Sequence, residues 1–308
     1  MNSSPTSAAH SSSDPDVFPD GPATFRNHTP GRDVNDIDDL RDRLPRFTGG
    51  RELMEPRVVL LDLDGTLIER GQPVPGAARA VVELRRAGHT VRIFTNTDSQ
   101  SEATLVDRIR RLGIPVALGE IFTPVIAARE ILAATPGSRV LVLADRAVRD
   151  ELAAHRSPDA GPPTHVVVGD CRETLSYPAL DAAFRAVRAG AELLALQRGR
   201  YFRAADGDHV DTGAIVAAIE FAAGKPARVL GKPSQDFLRL AAQSAPADLL
   251  WVVGDDGTTD IPMAITAGAT SVQVRTGKYL DQQATEALPR PTHTINSIAD
   301  LPALLPPP

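Results

Sequence analysis

The sequence predicts an α/β protein: a parallel, Rossmann-like sheet core with an inserted smaller α/β unit, preceded by a disordered N-terminal tail. Three observations carry this. From Val58 onward, short apolar runs rich in Val, Leu and Ile alternate with stretches of helical period. Several of those runs end abruptly in polar or acidic residues, as strands do at the ligand-binding edge of an open α/β sheet. Residues 1–56 show neither period, and their first half is rich in Ser, Pro, Asp and Gly.

Composition narrows the class. The chain has 308 residues, 42% of them hydrophobic and 23% charged, which allows two domains or one domain with an insertion. A formal net charge of -6 with no dense Lys/Arg cluster argues against a nucleic-acid partner. No apolar run approaches the ~20 residues of a membrane helix, so no membrane partner is expected. Cys171 is the single cysteine, which rules out an internal disulfide and fits a reducing, cytoplasmic setting. It reads as a packed thiol, because nothing nearby resembles an activating base.

Taken in order, the elements are these. Asp33 to Leu44 reads as a charged tail, and a product starting at Met54 is conceivable. Val58, Val59, Leu60 and Leu61 form a strand buried on both faces, running into Asp62-Leu63-Asp64-Gly65-Thr66. After a Pro/Gly loop, 77–87 is a helix stopped by Gly88. His89 to Phe94 is a strand ending in Thr95-Asn96-Thr97. Ser99 or Ser101 caps a helix running to about Leu112, and Thr123-Pro124 opens another to about Ala134. The middle repeats the alternation: strand Val140–Ala144, helix 147–154, strand His165–Gly169, helix Pro178–Ala189, strand Ala191–Gln197 and helix 213–223. Ser157–Pro163 reads as a surface loop. The last third returns to the first pattern. A strand at Ala227–Leu230 ends in Gly231-Lys232-Pro233-Ser234, with a helix to about Ser244. Strand Leu249–Val253 ends in Gly254-Asp255-Asp256, helix 261–267 follows, then strand Thr270–Val274 and a short helix near 297–304.

Four strand ends thus carry polar groups: Asp62 with Asp64, Thr95 with Asn96, Lys232, and Asp255 with Asp256. In a parallel sheet all four converge on one edge. Carboxylates, a hydroxyl and a lysine together suit phosphoryl transfer: Mg²⁺ takes carboxylates and keeps room for phosphate oxygens, and a lysine neutralises developing charge. On a strand, Asp62 and Asp64 would leave the same side. Each residue also has a structural reading. Thr95 and Asn96 could form a strand-end turn, Lys232 could be solvated, Asp256 could point to solvent, and Asp260 could be a helix cap.

These residues, in this order, resemble the haloacid dehalogenase-like hydrolase superfamily. Asp62 to Thr66 is similar to its first motif, Thr95 to the second, Lys232 to the third, and Gly254-Asp255 with Asp260 to the fourth. Thr95-Asn96 with Ser99-Gln100-Ser101, Leu175-Ser176-Tyr177, Gly199-Arg200-Tyr201, Gly231 to Ser234 and Arg275 to Tyr279 resemble its type IIA branch, closest to the phospholysine phosphohistidine inorganic pyrophosphate phosphatases. The resemblance implies a core of 57–137 and 226–308 with a type II cap at 138–225, the gap between Thr95 and Lys232 being long enough for an inserted lid. It implies a Mg²⁺-dependent phosphatase of small phosphorylated compounds, often a homodimer through the cap. Asp62 would be the nucleophile, forming an aspartyl-phosphate, and Asp64 the acid/base. Thr95, Asn96 and Lys232 would bind phosphate. Asp62, Asp64 (through its carbonyl) and Asp255 would hold the metal, with Asp260 in support. Tyr177, Arg200 and Tyr201 could face substrate, though packed tyrosines are the plainer expectation. Two alternatives keep the same residues: a phosphotransferase such as a mutase, and a silent binding protein on the same fold.

Overall fold

The computed structural model describes residues 55–155, 161–204, 206–283, 288–305 and 307. Nearly all of the expected tail, Met54 and residues 157–160 of the expected surface loop lie outside the described residues.

Strand Val58–Leu61 forms because both of its faces find apolar partners. Val59 and Leu61 join one layer with Val81 and Leu84 of helix Ala77–Arg86 and Leu105 and Ile109 of helix Glu102–Arg111. Leu60 turns the other way, onto Ala128 and Leu132 of helix Pro124–Ala134 and Phe237 and Leu238 of helix Gln235–Ala242. That alternation is the period of a strand covered on both sides. The caps expected at Ser101 and Thr123 are made, each side chain accepting from a backbone N–H three residues on.

Val58–Leu61 lies inside a six-stranded parallel sheet. The order is His293–Ile295, Thr270–Val274, Leu250–Gly254, Val58–Leu61, Thr90–Phe94, Ile121–Phe122. Leu61 sits opposite Val253 on one side and Ile93 on the other. Asp62, Gly254 and Phe94 therefore reach the carboxyl edge together. This is the mixed α/β architecture with a parallel core expected from the sequence.

A second parallel sheet of four strands has the order Arg228–Val229, Glu192–Ala195, His165–Val168, Val140–Leu143. One face, with Val166, Val168 and Leu193, packs on helices Tyr177–Arg188 and Thr212–Ala223. Val140, Val167 and Leu194 of the opposite face share an apolar layer with Leu60, Phe94 and Phe122 of the first sheet. The inserted sheet is thus closed by the core rather than free-standing.

The strand expected at Ala227–Leu230 belongs to this second sheet, with Arg228 opposite Leu194 and Val229 opposite Ala195. The inserted sheet therefore extends past the expected 225/226 boundary. The physical reason is that Leu230 continues the pairing, donating to the Ala195 carbonyl at 2.9 Å, and buries its side chain in the shared layer. Two hairpins escaped the sequence reading. Ile68–Glu69 pairs with Gln72–Pro73 across Arg70 and Gly71, both at positive φ, as a two-residue hairpin turn requires. Tyr201–Ala204 pairs with Gly207–Val210. Neither pair has an apolar period long enough to read. Among the described residues, no helix is long and apolar enough to cross a membrane.

Candidate active site

The strand ends that the sequence singled out meet at the carboxyl edge of the first sheet. Asp62 follows the central strand and is 4% exposed. One of its carboxylate oxygens, Oδ1, takes the Lys232 ammonium in a close ion pair; the other accepts from the Thr66 hydroxyl at 3.1 Å. Lys232 Nζ also lies 2.8 Å from Asp260 Oδ1 and stacks over the Phe94 ring, 4.6 Å from its centroid. Asp260 opens helix Asp260–Thr266 and is fully buried, so it is both a first-turn residue and a partner of the lysine. Its other oxygen accepts from the Asp256 backbone at 3.2 Å. Asp255 is 2% exposed, at the end of strand Leu250–Gly254. It lies so close to Gly65 that a side chain there would meet its carboxylate. Gly65, at φ +96°, is where the first acidic turn leaves the sheet.

Lys232 reaches this edge from the second sheet, not from a strand of the first as expected. Asp64 does not share the environment of Asp62 either. The strand ends at Leu61, so alternation stops before it can pair the two acids. The Asp64 side chain is 57% exposed and faces Arg108 at 3.4 Å. Thr95 is buried at the end of its strand, and its hydroxyl accepts from the Thr97 backbone at 3.2 Å and meets the Thr97 hydroxyl at 3.0 Å. The Asn96 amide is committed to the lysine's own peptide. Its Oδ1 accepts from Lys232 N at 2.7 Å, and its Nδ2 donates to the Lys232 carbonyl at 3.1 Å.

The Asn96 clamp carries a prediction. Asn96→Ala removes two buried-edge hydrogen bonds, each typically worth ~1 kcal/mol. The expected result is a loss of about 2 kcal/mol in urea denaturation, with turnover falling because Lys232 is displaced. A direct phosphate ligand would instead lose phosphate affinity at unchanged stability.

Crowding governs the electrostatics. Burial pushes Asp255 up to about 8, helped by the neighbouring Asp62 and Asp260 charges. Burial raises Asp260 to about 6 against the opposing pull of Lys232. Asp62 is raised by burial too, again opposed by Lys232. For Lys232, burial alone would lower the ammonium; Asp260 and Asp62 more than reverse that and hold it charged. Ligand oxygens of Asp62, Asp255 and Asp260 lie within 4.8 Å of one another, all buried. Three carboxylates against one ammonium leave two negative charges when ionised. The donors are hard oxygens, so the set fits a hard divalent cation, with a proton on Asp255 as the alternative.

Several groups near the site escaped sequence reasoning. Asp256 is buried rather than solvent-facing. It pairs with Lys278 Nζ at 2.8 Å and accepts from the Gln282 side chain and the Thr258 N–H. Burial would raise this acid, but those partners hold it well below the usual carboxylate range. Asp98, three residues beyond Thr95, is 7% exposed and accepts from the Thr212 hydroxyl at 2.7 Å. Burial pushes it to about 7, with Asp211 and Asp170 adding to the rise and Thr212 and Gln197 opposing it. A bond from the second motif to a helix of the inserted sheet has no signal in either segment alone. Tyr177 and Tyr201 are 83% and 55% exposed, so neither is the packed tyrosine expected. Cys171 is buried and its thiol is pushed up to about 11 by burial, in keeping with a packed thiol.

Comparison with known proteins adds independent findings. Residues 59–156 match the family model of haloacid dehalogenase-like hydrolases, and residues 229–301 match a second, HAD-hydrolase-like model. Human haloacid dehalogenase-like hydrolase domain-containing protein 2 is 34% identical over 244 residues, covering 78% of this chain and 92% of that protein. Human phospholysine phosphohistidine inorganic pyrophosphate phosphatase is 34% identical over 238 residues, covering 75% of this chain and 87% of that one. Among solved structures, a p-nitrophenyl phosphatase from Archaeoglobus fulgidus superposes with a TM-score of 0.73 at 27% identity, covering 81% of this chain and all of that one.

Proposed function

Because this chain belongs to the haloacid dehalogenase-like hydrolase family, we propose that it is a Mg²⁺-dependent phosphatase of small phosphorylated compounds, working through an aspartyl-phosphate on Asp62. The observation that carries this reading is the buried trio Asp62, Asp255 and Asp260 around Lys232, with two negative charges in excess. The substrate range includes P–N bonds and pyrophosphate, the chemistry named for the human relative.

Asp62 attacks phosphorus. The Asp62 oxygen–phosphorus bond forms as the bond to the leaving oxygen breaks, and Asp64 gives that oxygen its proton. Asp64 then takes a proton from water, whose oxygen attacks phosphorus and releases Asp62. The exposure of Asp64 supports this role, since it must meet both the leaving group and water. Lys232 holds Asp62 ionised and oriented and offers positive charge to the phosphoryl oxygens. Thr95 stands at the adjoining strand end as a phosphate-side group, and Asn96 acts through the lysine it clamps. Asp62, Asp255 and the Asp64 carbonyl would hold Mg²⁺, with Asp260 supporting. The ion, when bound, supplies charge that draws the phosphate onto an otherwise acidic floor. The inserted unit (138–225), whose sheet is completed by strand Arg228–Val229, acts as the lid that excludes water.

Metal removal tests the reading. Protein dialysed against EDTA is expected to lose hydrolysis of p-nitrophenyl phosphate, and Mg²⁺ to restore it. Undiminished turnover after chelation, checked by metal analysis, would refute the cation's part.

A further inference from the structure

The residues just after strand Thr270–Val274 have no part in the chemistry above, yet they grip both acidic turns at once. Thr276 donates its hydroxyl to the Gly65 carbonyl at 2.5 Å, in the turn between Asp64 and Thr66. Two residues on, the Lys278 N–H donates to Asp255 Oδ2 at 2.7 Å. The Lys278 ammonium reaches Asp256 Oδ2 at 2.8 Å. Gln282, at the end of the short helix Tyr279–Gln282, accepts from Gly257 N at 2.8 Å and donates to Asp256 Oδ1 at 2.8 Å. Gly277 has φ +61°, and any side chain there would strike the Asp255 carboxylate and lie 2.6 Å from Gly65 Cα. The segment passes through the narrow space where the two turns meet.

We propose that Thr276–Gln282 is a positioning strap for the divalent-cation site: it fixes the Asp255 carboxylate through the Lys278 N–H and fixes the Asp64–Gly65 turn through the Thr276 hydroxyl. This rests on the cation-binding part of the reading above. The chemistry follows from what each contact leaves free. A carboxylate has two oxygens and about four lone-pair sites. With the Lys278 amide on Oδ2, Asp255 is held in one rotation and keeps acceptor capacity for a cation. Asp256, the neighbouring acid, is drawn away by Lys278, Gln282 and Thr258, so the strap also decides which of two adjacent carboxylates faces the cation. Partners that orient ligands in this way typically contribute 10- to 100-fold to metal affinity.

The test separates the backbone contact from the side chain. Lys278 has φ -76°, which proline can adopt, so Lys278→Pro deletes the N–H together with the ammonium, whereas Lys278→Met deletes only the ammonium, and the difference between the two isolates the N–H. Thr276→Val removes the hydroxyl at nearly constant volume and remains informative if the proline variant does not fold. The full chain is titrated with Mn²⁺ by electron paramagnetic resonance, and each metal-free variant is melted in EDTA. The expected result is Mn²⁺ affinity about tenfold or more weaker in Lys278→Pro and Thr276→Val, a smaller loss in Lys278→Met, and metal-free melting temperatures close to the parent. Parental Mn²⁺ affinity in Thr276→Val and Lys278→Pro, or melting losses with affinity intact, would overturn the strap. If strap variants bind Mn²⁺ weakly but the parent hydrolyses no phosphate compound, the strap stands and the phosphatase reading falls.

Discussion

Asp62→Asn is expected to reduce p-nitrophenyl phosphate turnover by at least about 10³-fold, the scale on which loss of a nucleophile is felt, while the fold survives. Asparagine keeps the shape of aspartate but lacks the anionic oxygen that attacks phosphorus, so no covalent intermediate forms. The Asp62 carboxylate is also one of the three buried carboxylates gathered at the proposed cation site, so the variant should need more Mg²⁺ for whatever activity is left. Stability answers differently. Lys232 keeps Asp260 at 2.8 Å, so the ammonium is not left without a counter-charge. Asp255 and Asp260 lose a neighbouring negative charge that raises both of them, which relieves crowding. A melting temperature near the parent with turnover gone identifies Asp62 as the reacting group. Parental turnover at saturating Mg²⁺ would remove Asp62 from the chemistry and the aspartyl-phosphate with it.

How much of this was legible beforehand depends on where the determining contacts lie. The first strand was readable because Val58 to Leu61 carries its own evidence: a continuous apolar run is what burial on both faces needs. Helix Pro124–Ala134 was readable because Thr123 and Pro124 mark its start locally. Asp62, Lys232 and Asp255 could be proposed as a set because strand-end acids and a Gly-Lys-Pro-Ser turn recur in a known order. The rest was written in long-range contacts. Which sheet Arg228–Val229 joins depends on Leu194 and Ala195, not on its own two residues. Asn96 reads as a phosphate ligand from its own segment, where nothing reveals that Lys232, 136 residues later, meets both ends of its amide. Thr276 and Gly65 are 211 residues apart, and half of that contact is a main-chain carbonyl, which leaves no mark on residue type. The expectation that Asp62 and Asp64 leave the same side fails for the opposite reason: a local rule, strand alternation, is carried past the strand's end at Leu61.

The buried lysine gives the second large effect, and it is a stability effect with a pH signature. In Lys232→Met, metal-free protein at pH 8 is expected to lose about 3 kcal/mol or more, the usual result of leaving buried charges without their partner. The sign follows from the carboxylates. In the unfolded chain their pKa values are near 3.9. In the folded protein Asp260 stands at about 6 and Asp255 at about 8, and Asp62 is raised as well. Across that window the native state binds more protons than the unfolded state, so stability falls as pH rises through the folded values. Lys232 opposes the rise of Asp62 and Asp260. Its removal moves both higher still and steepens the fall. Well below the unfolded value of about 3.9 all three acids are neutral in both states, and the variant loses little, because the parent there holds a buried ammonium with no anion beside it. Urea denaturation in EDTA at pH 5 and pH 8 measures the difference, which should be several-fold larger at pH 8. Mg²⁺ should then recover part of the pH 8 loss without recovering turnover, because a dication can balance the carboxylates but cannot replace the ammonium between Asp62 and Asp260. An equal loss at both pH values would show that Lys232 contributes through packing against Phe94 alone, and would take the electrostatic account of the site down with it.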